Sequence, residues 1–200
     1  MSELSVILSD RSRAATPSDE MLIRQIAAGD KAAIRALFLR YQLKVYRFAL
    51  RIVREPMLAE DVVSETFIDA WQHAGRYAGR SSVSTWLLGI ARHGALTAAA
   101  RRRPAESLDC EAAQTAVDPA NGPEARLGEK ETGAALRRGL AALSREHAEM
   151  IDLVYYQEKS IREIAEILSI PENTVKTRMF YARKRLAAFV ATEGIGRAAA

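Results

Sequence analysis

The sequence has little with which to staple or anchor itself: among its 200 residues there is a single cysteine, Cys110. One cysteine cannot close an internal disulfide or, by itself, build a structural zinc site. No apolar run approaches the roughly 18 residues of a membrane span. The first twenty residues, MSELSVILSDRSRAATPSDE, lack a basic start followed by an apolar stretch and a cleavage pattern, so no secretory leader is expected. These absences argue against disulfide-stapled, membrane-spanning and secreted classes, and predict a reduced, soluble, cytoplasmic protein. What remains is ordinary: 48% apolar and 27% charged residues suffice for one or two cores and exclude wholesale disorder. A net charge of +4 and a pI near 9.4 bias the chain mildly toward an anionic partner without naming one.

The distribution of charge says more than its total. Residues 104–128, PAESLDCEAAQTAVDPANGPEARLG, hold five acids (Glu106, Asp109, Glu111, Asp118, Glu124) against Arg126 alone, a net −4. With three prolines, two glycines and no aromatic residue, this stretch buries too little to offset its ordering entropy and reads as a flexible acidic linker. The other 175 residues then carry +8. Two basic modules joined by an acidic tether are expected.

Both modules read as helical. Residues 17–29 open on Thr16-Pro17-Ser18-Asp19, a capped start with proline at the first helical position, and stop at Gly29. Asp30 can cap a long second helix whose apolar positions Ile34, Leu37, Phe38, Tyr41, Val45, Phe48, Ala49 and Ile52 recur at intervals of three and four. Glu55-Pro56 interrupts it. A third helix runs through LAEDVVSETFIDAWQHA, and a fourth from about Val83 to Arg102 after the polar loop Tyr77–Ser82. Beyond the linker, helices are predicted over 129–142 and 145–157. No strand-like alternation and no internal repeat stands out.

The stretch from Ser160 onward is the most informative. Ser160-Ile161-Arg162-Glu163 is a capping box, in which hydroxyl and carboxylate satisfy orphan amides at a helix start. The short helix IREIAEIL ends at Ser169-Ile170-Pro171, and a longer one, ENTVKTRMFYARKRLAAFV, follows: a helix-turn-helix pattern. Val175, Met179, Ala182, Leu186 and Phe189 mark the second helix's core face. Asn173, Lys176, Thr177, Phe180 and Lys184 mark its opposite face, and residues 171–190 carry a net +4. A solvated basic helix of a bundle has such a face too. The capping box, short helix, proline turn and basic second helix together favour DNA binding, with polar and apolar groups for base edges and cations for phosphates.

Three segments in this order, AEDVVSETFIDAW, STWLLGIARHGAL with the Arg101–Arg103 run, and SIREIAEILSIPENTVKTRMFYARKRL, resemble an extracytoplasmic-function (ECF) sigma factor of the sigma-70 family. The resemblance covers residues 18–190 except the linker. It implies an all-α chain of two helical modules joined by a flexible acidic linker: a sigma region 2 helical bundle at 17–103 and a sigma region 4 helix-turn-helix bundle at 129–192. Residues 1–16 and 193–200 are expected to be tails, the first disordered.

The resemblance also implies roles. Asp61, Val62, Ser64, Glu65 and Asp69 match the helix that docks on core RNA polymerase, where the family usually has glutamine at the position of Ser64. Without the resemblance these acids read as a solvated face; a catalytic carboxylate pair lacks a nucleophile or metal ligand nearby. Tyr77, Arg80, Ser81, Ser82 and Ser84 in the loop, with Arg92, His93, Leu96 and Thr97 on the next helix, match the part that captures the unpaired minus-ten element. Arg101, Arg102 and Arg103 are expected on phosphates. Trp86 reads as core, with Leu87, Leu88 and Ile90. Lys176, Thr177 and Phe180 match the positions that read the minus-thirty-five element, with Thr174, Arg178, Arg183 and Lys184 on the backbone.

The expected function is therefore that of a sigma factor directing core RNA polymerase to promoter DNA under an anti-sigma factor. No enzymatic chemistry, cofactor, metal, small-molecule substrate or membrane insertion is expected. Two alternatives are a stand-alone helix-turn-helix regulator and a sigma-mimicking protein that sequesters an anti-sigma factor.

Overall fold

A computed structural model describes residues 17–102 and 138–192. The expected linker at 104–128, both tails, Arg103 and most of the predicted helix 129–142 lie outside the described residues. Within them every regular element is helical, and no helix is long and apolar enough to cross a membrane.

The N-terminal module has four helices: α1 (Asp19–Ala27), α2 (Lys31–Val53), α3 (Pro56–His73) and α4 (Val83–Arg102), with a 3-10 turn at Ala74–Arg76. Ser18, not Thr16, is the residue that caps α1: its hydroxyl accepts from the Met21 amide at 3.2 Å. Pro17 thus lies outside the helix that the sequence reading assigned it to, because the serine side chain supplies the missing acceptor one residue later. Gly29, at φ +88°, turns the chain into Asp30, whose carboxylate caps α2 through the Ala32 amide at 2.7 Å. Arg54 ends α2 in the left-handed region, and Pro56 stands at the first turn of α3, where its missing amide costs nothing.

The three- and four-residue spacing does what periodicity requires. Leu37, Val45, Phe48, Ala49 and Ile52 of α2 are buried against Ala59, Val62, Phe67 and Ala70 of α3 and Leu87, Leu88, Ala91 and Ala95 of α4. Phe38 meets Phe67 edge-on, ring centroids 5.0 Å apart. Asp19 tethers α1 to α2 through Arg40 and the Tyr41 hydroxyl.

The C-terminal module has a helical stretch at 138–142, α5 (Arg145–Ile151), a π-helical turn (Asp152–Tyr156), α6 (Ile161–Leu168) and α7 (Glu172–Thr192). The segment expected as one helix over 145–157 therefore changes pitch midway. The wider turn coincides with two fully buried groups, Asp152 and Leu153. Ser169, left-handed at φ 53°, ends α6, and the Ile170 amide returns to the Ala165 carbonyl at 3.1 Å. Pro171 then opens α7. Gly139 lets the 138–142 stretch approach α7: a β-carbon there would stand 3.0 Å from Leu186 and Phe189.

Candidate nucleic-acid interface

The helix-turn-helix sets α7 on a rigid base. The Ser160 hydroxyl accepts from the Glu163 amide at 3.3 Å, and the Ser160 amide donates to Glu163 Oε2 at 3.0 Å, so the capping box is closed in both directions. Val175, Met179 and Ala182 are buried, with Leu186 partly so. The other side presents Asn173, Lys176, Thr177, Phe180 and Lys184, all exposed. Thr177 bonds back to the Asn173 carbonyl at 3.0 Å, which holds its methyl and hydroxyl near the helix. Phe180 is 61% exposed and meets Tyr181 edge-on. No core requirement explains so exposed an aromatic ring. Thr174 is half-buried; Arg183 lies over the Tyr155 ring at 5.7 Å, and Arg178 pairs with Glu146 at 3.5 Å.

In the N-terminal module the loop residues gather at the start of α4. Ser82 caps that helix, its Oγ accepting from the Thr85 amide at 3.2 Å. Tyr77 packs against Trp86 with ring centroids 5.3 Å apart, and its hydroxyl donates to the Ser81 carbonyl. Trp86 is partly buried against the core, in keeping with its expected place. Arg80 and Ser82 are exposed; Ser81 and Ser84 are half-buried. Further along α4, His93 and Arg101 are exposed, Leu96 leans on the core, and the Thr97 hydroxyl donates to the His93 carbonyl at 3.0 Å. Arg102 is the last residue of α4.

Along α3 the side chains of Asp61, Ser64, Glu65 and Asp69 form one exposed face. Val62, expected with them, is only 1% exposed and packs into the core between α3 and α4. It helps fix the helix that presents the acids and reaches the surface only in the groove between α3 and α4. A groove of about 500 Å³ between α3 and α4 is lined by Asp61, Glu65 and Asp69 on one wall and His93, Thr97 and Arg101 on the other.

The modules meet through contacts that have no local signature in the sequence. α6 lies against α4, and α5 against α2. Glu163 Oε1 accepts from Thr85 Oγ1 at 2.7 Å, Ser82 Oγ at 3.1 Å and Lys159 Nζ at 3.2 Å. Burial alone would raise the Glu163 pKa, but the hydrogen bonds from Thr85 and Ser160 and the Lys159 charge outweigh it and hold it at about 2. Arg92, expected on DNA, reaches Glu149 Oε2 at 3.4 Å, and Arg51 reaches Asp152 Oδ1 at 3.4 Å. Both acids are 2% exposed, and burial pushes both pKa values up against the pull of their arginines. Gln157 adds bonds to Asp152 at 3.3 Å and to the Lys44 carbonyl at 3.4 Å. The capping box was the one sequence signal that marked Glu163. Nothing in the sequence marked its second set of partners about 80 residues away.

Comparison with known proteins agrees with this geometry. Residues 37–104 match Sigma-70 region 2, and residues 133–186 match Sigma-70, region 4. The chain is 35% identical over 166 residues to the ECF RNA polymerase sigma factor SigL of Mycobacterium tuberculosis, covering 80% of this chain and 90% of the relative. It is 30% identical over 176 residues to the RNA polymerase sigma-H factor of Pseudomonas aeruginosa, covering 84% of this chain and 91% of the relative. Among solved structures, the sigma factor RpoE in complex with the anti-sigma factor NepR from Bartonella quintana shares the fold, with a TM-score of 0.65, 24% identity, and coverage of 78% of this chain and 96% of that one. CnrH in complex with the cytosolic domain of CnrY does likewise, with a TM-score of 0.64, 22% identity, and coverage of 88% and 99%. The chain belongs to the sigma-70 family, among the extracytoplasmic-function RNA polymerase sigma factors.

Proposed function

We propose that this sigma factor divides its work between two surfaces that do no covalent chemistry, so that it acts in the cytoplasm as a binding factor and not as an enzyme. The N-terminal module, 17–103, holds core RNA polymerase through Asp61, Ser64, Glu65 and Asp69. It takes up the unpaired minus-ten strand with the 77–84 loop and with Arg92, His93, Leu96, Thr97 and the arginines at 101–103. Bases out of the stack need stacking partners, pockets and backbone cations, and this end of α4 offers all three residue types. The C-terminal module, 129–192, lays α7 in the major groove of the minus-thirty-five element. Lys176, Thr177 and Phe180 meet base edges, while Thr174, Arg178, Arg183 and Lys184 meet phosphates. The tether at 104–128 links the two grips, which multiplies selectivity beyond either contact alone.

The observation that carries this reading is the split of α7 into a buried apolar side and an exposed side bearing Lys176, Thr177 and a 61% exposed Phe180. Control by an anti-sigma factor is part of the proposal, because the fold neighbour RpoE is a sigma factor held in a complex with the anti-sigma factor NepR. The polymerase surface is tested by reversing its charge. Asp61→Lys with Glu65→Lys should abolish co-purification with core polymerase and leave thermal stability nearly unchanged, since both side chains are exposed. Retention of polymerase by the doubly reversed chain would remove α3 from the contact.

A further inference from the structure

The segment from α5 into the turn behind it carries an aromatic ring that helical spacing would bury. α5 packs against α7, and Ala148 and Ile151 of α5 are buried. Tyr155 follows them by seven and four residues, the spacing that keeps side chains on one helix face. Were the α-helix to continue, the Tyr155 ring would join them, yet Tyr155 is 56% exposed. The π-helical turn Asp152–Tyr156 is the reason: the Gln157 amide donates to the Asp152 carbonyl, five residues back, at 3.0 Å. A π turn holds more residues per turn than an α-helix, which rotates Tyr155 off the buried stripe.

The ring meets a charge there. The Arg183 guanidinium of α7 lies over the Tyr155 ring, 5.7 Å from its centroid. Both groups belong to the C-terminal module, so the contact does not depend on how the two modules meet. Arg183 stands seven residues after Lys176, two turns along the same side of α7, and is itself exposed. Among the described residues no carboxylate pairs with it, whereas Arg178 is engaged by Glu146 at 3.5 Å. A ring face attracts a cation without neutralising its charge.

We propose that Tyr155 is a positioning residue of the DNA grip: its ring holds the Arg183 guanidinium in place for a backbone phosphate of the upstream duplex, and the π-helical turn carries the ring out to it. The proposal rests on the assignment of α7 to the major groove and of Arg183 to phosphate.

The chemistry of the pair fits that task. An arginine side chain has many rotamers, and fixing it on a phosphate costs conformational entropy. Part of that ordering is already complete in the free protein when the planar guanidinium rests on a ring, and preorganisation of this kind raises affinity without a new contact to DNA. A carboxylate could hold Arg183 as well, but it would cancel the charge that the phosphate must meet. Because a phosphate contact carries no sequence information, the effect of the ring falls equally on every sequence. The next residue, Tyr156, supplies a contrast: it is 49% exposed too, but the cation over its ring is Arg51 of α2, at 5.1 Å.

An exposed cation–ring contact is worth about two- to fivefold in an equilibrium. Tyr155→Ala in the full chain should therefore weaken binding of the holoenzyme to a promoter selected from random DNA by about that factor, on the promoter and on each single-base variant alike. Tyr155→Phe keeps the ring and should restore binding. The deciding readout is the cycle with Arg183. Arg183→Ala lowers affinity on its own, and in that background Tyr155→Ala should cost nothing further, because the cation it positions is gone. A ring that merely supported the fold would cost the same in both backgrounds. Tyr156→Ala alters the same turn, leaves Arg183 its ring, and should show no coupling to Arg183. In the free full-length chain the Arg183 Nε–H resonance gives a second readout. It should lie upfield under the ring current of Tyr155, move toward the ordinary arginine position in Tyr155→Ala, and return in Tyr155→Phe.

A loss in Tyr155→Ala that persists undiminished in the Arg183→Ala background would overturn the proposal. So would a loss confined to one base pair, or an Arg183 resonance that removal of the ring does not move. A loss in Arg183→Ala with none in Tyr155→Ala leaves the phosphate assignment standing and refutes the positioning role alone. Failure of the assignment itself has a different mark: Arg183→Ala then binds the promoter as the unsubstituted chain does, which removes Arg183 from the backbone and the proposal with it.

Discussion

Lys176 and Arg183 are both cations on the outer side of α7, and the account assigns them opposite kinds of work. Lys176 lies on the exposed face, one turn from the helix start, beside Thr177 and Phe180. Truncating it to alanine removes a donor to base acceptors, which is worth about 1–3 kcal/mol of discrimination, or roughly 5- to 150-fold, at the base pair it reads. Arg183 lies two turns later, over the Tyr155 ring at 5.7 Å, and is the one proposed to meet the DNA backbone. Its removal should weaken binding to every sequence alike and lower the salt slope by about one. Neither side chain is buried, so neither substitution should move the unfolding free energy by more than about 0.5 kcal/mol. The assay is a binding titration of holoenzyme against a promoter and its single-base variants, at several salt concentrations. The reasoning fails if Lys176→Ala loses affinity equally on every sequence, or if Arg183→Ala relaxes the preference at one position.

Two further outcomes follow from the core and from the junction. Leu87, fully buried where α2, α3 and α4 meet, should cost about 2–5 kcal/mol when truncated to alanine, seen as a lower urea midpoint at unchanged slope. Glu163 has a pKa held at about 2, below its ordinary value of 4.5, so its contribution is present above about pH 4.5 and is lost as pH falls toward 2. Glu149 and Asp152 have raised values and act in the opposite sense, gaining as pH falls toward their ordinary values of 4.5 and 3.8, below which the gain is complete. Glu163→Gln should therefore flatten the acid-side fall in stability measured by urea unfolding between pH 6 and pH 3, and an unaltered slope would show that Glu163 is not held by these bonds.

Much of the fold was legible because its core obeys local periodicity. Val45, Phe48, Ala49 and Ile52 recur at helical spacing, and they are buried. The helix-turn-helix was legible because capping box, short helix and proline turn are written within a dozen residues. The burial of Val62 was not legible because an exposed acidic face and a core stripe alternate along α3, and a motif match does not separate them. The pitch change after Ile151 was invisible for a different reason: Asp152 looks like a surface acid until Arg51, about 100 residues earlier in the chain, supplies its partner. The same holds for Glu163. Its cap partner is three residues away, and its partners on α4 have no local signature.

The central claim is that this chain confers promoter selection on a polymerase that has none by itself. Run-off transcription with core RNA polymerase, with and without the chain, on fragments selected by its holoenzyme tests it most directly. A discrete transcript that requires the chain, and that is lost with Asp61→Lys/Glu65→Lys, is expected. A transcript unaffected by the chain, or none in its presence while α7 still binds the duplex, would contradict the account and return the protein to a regulator that uses only its helix-turn-helix.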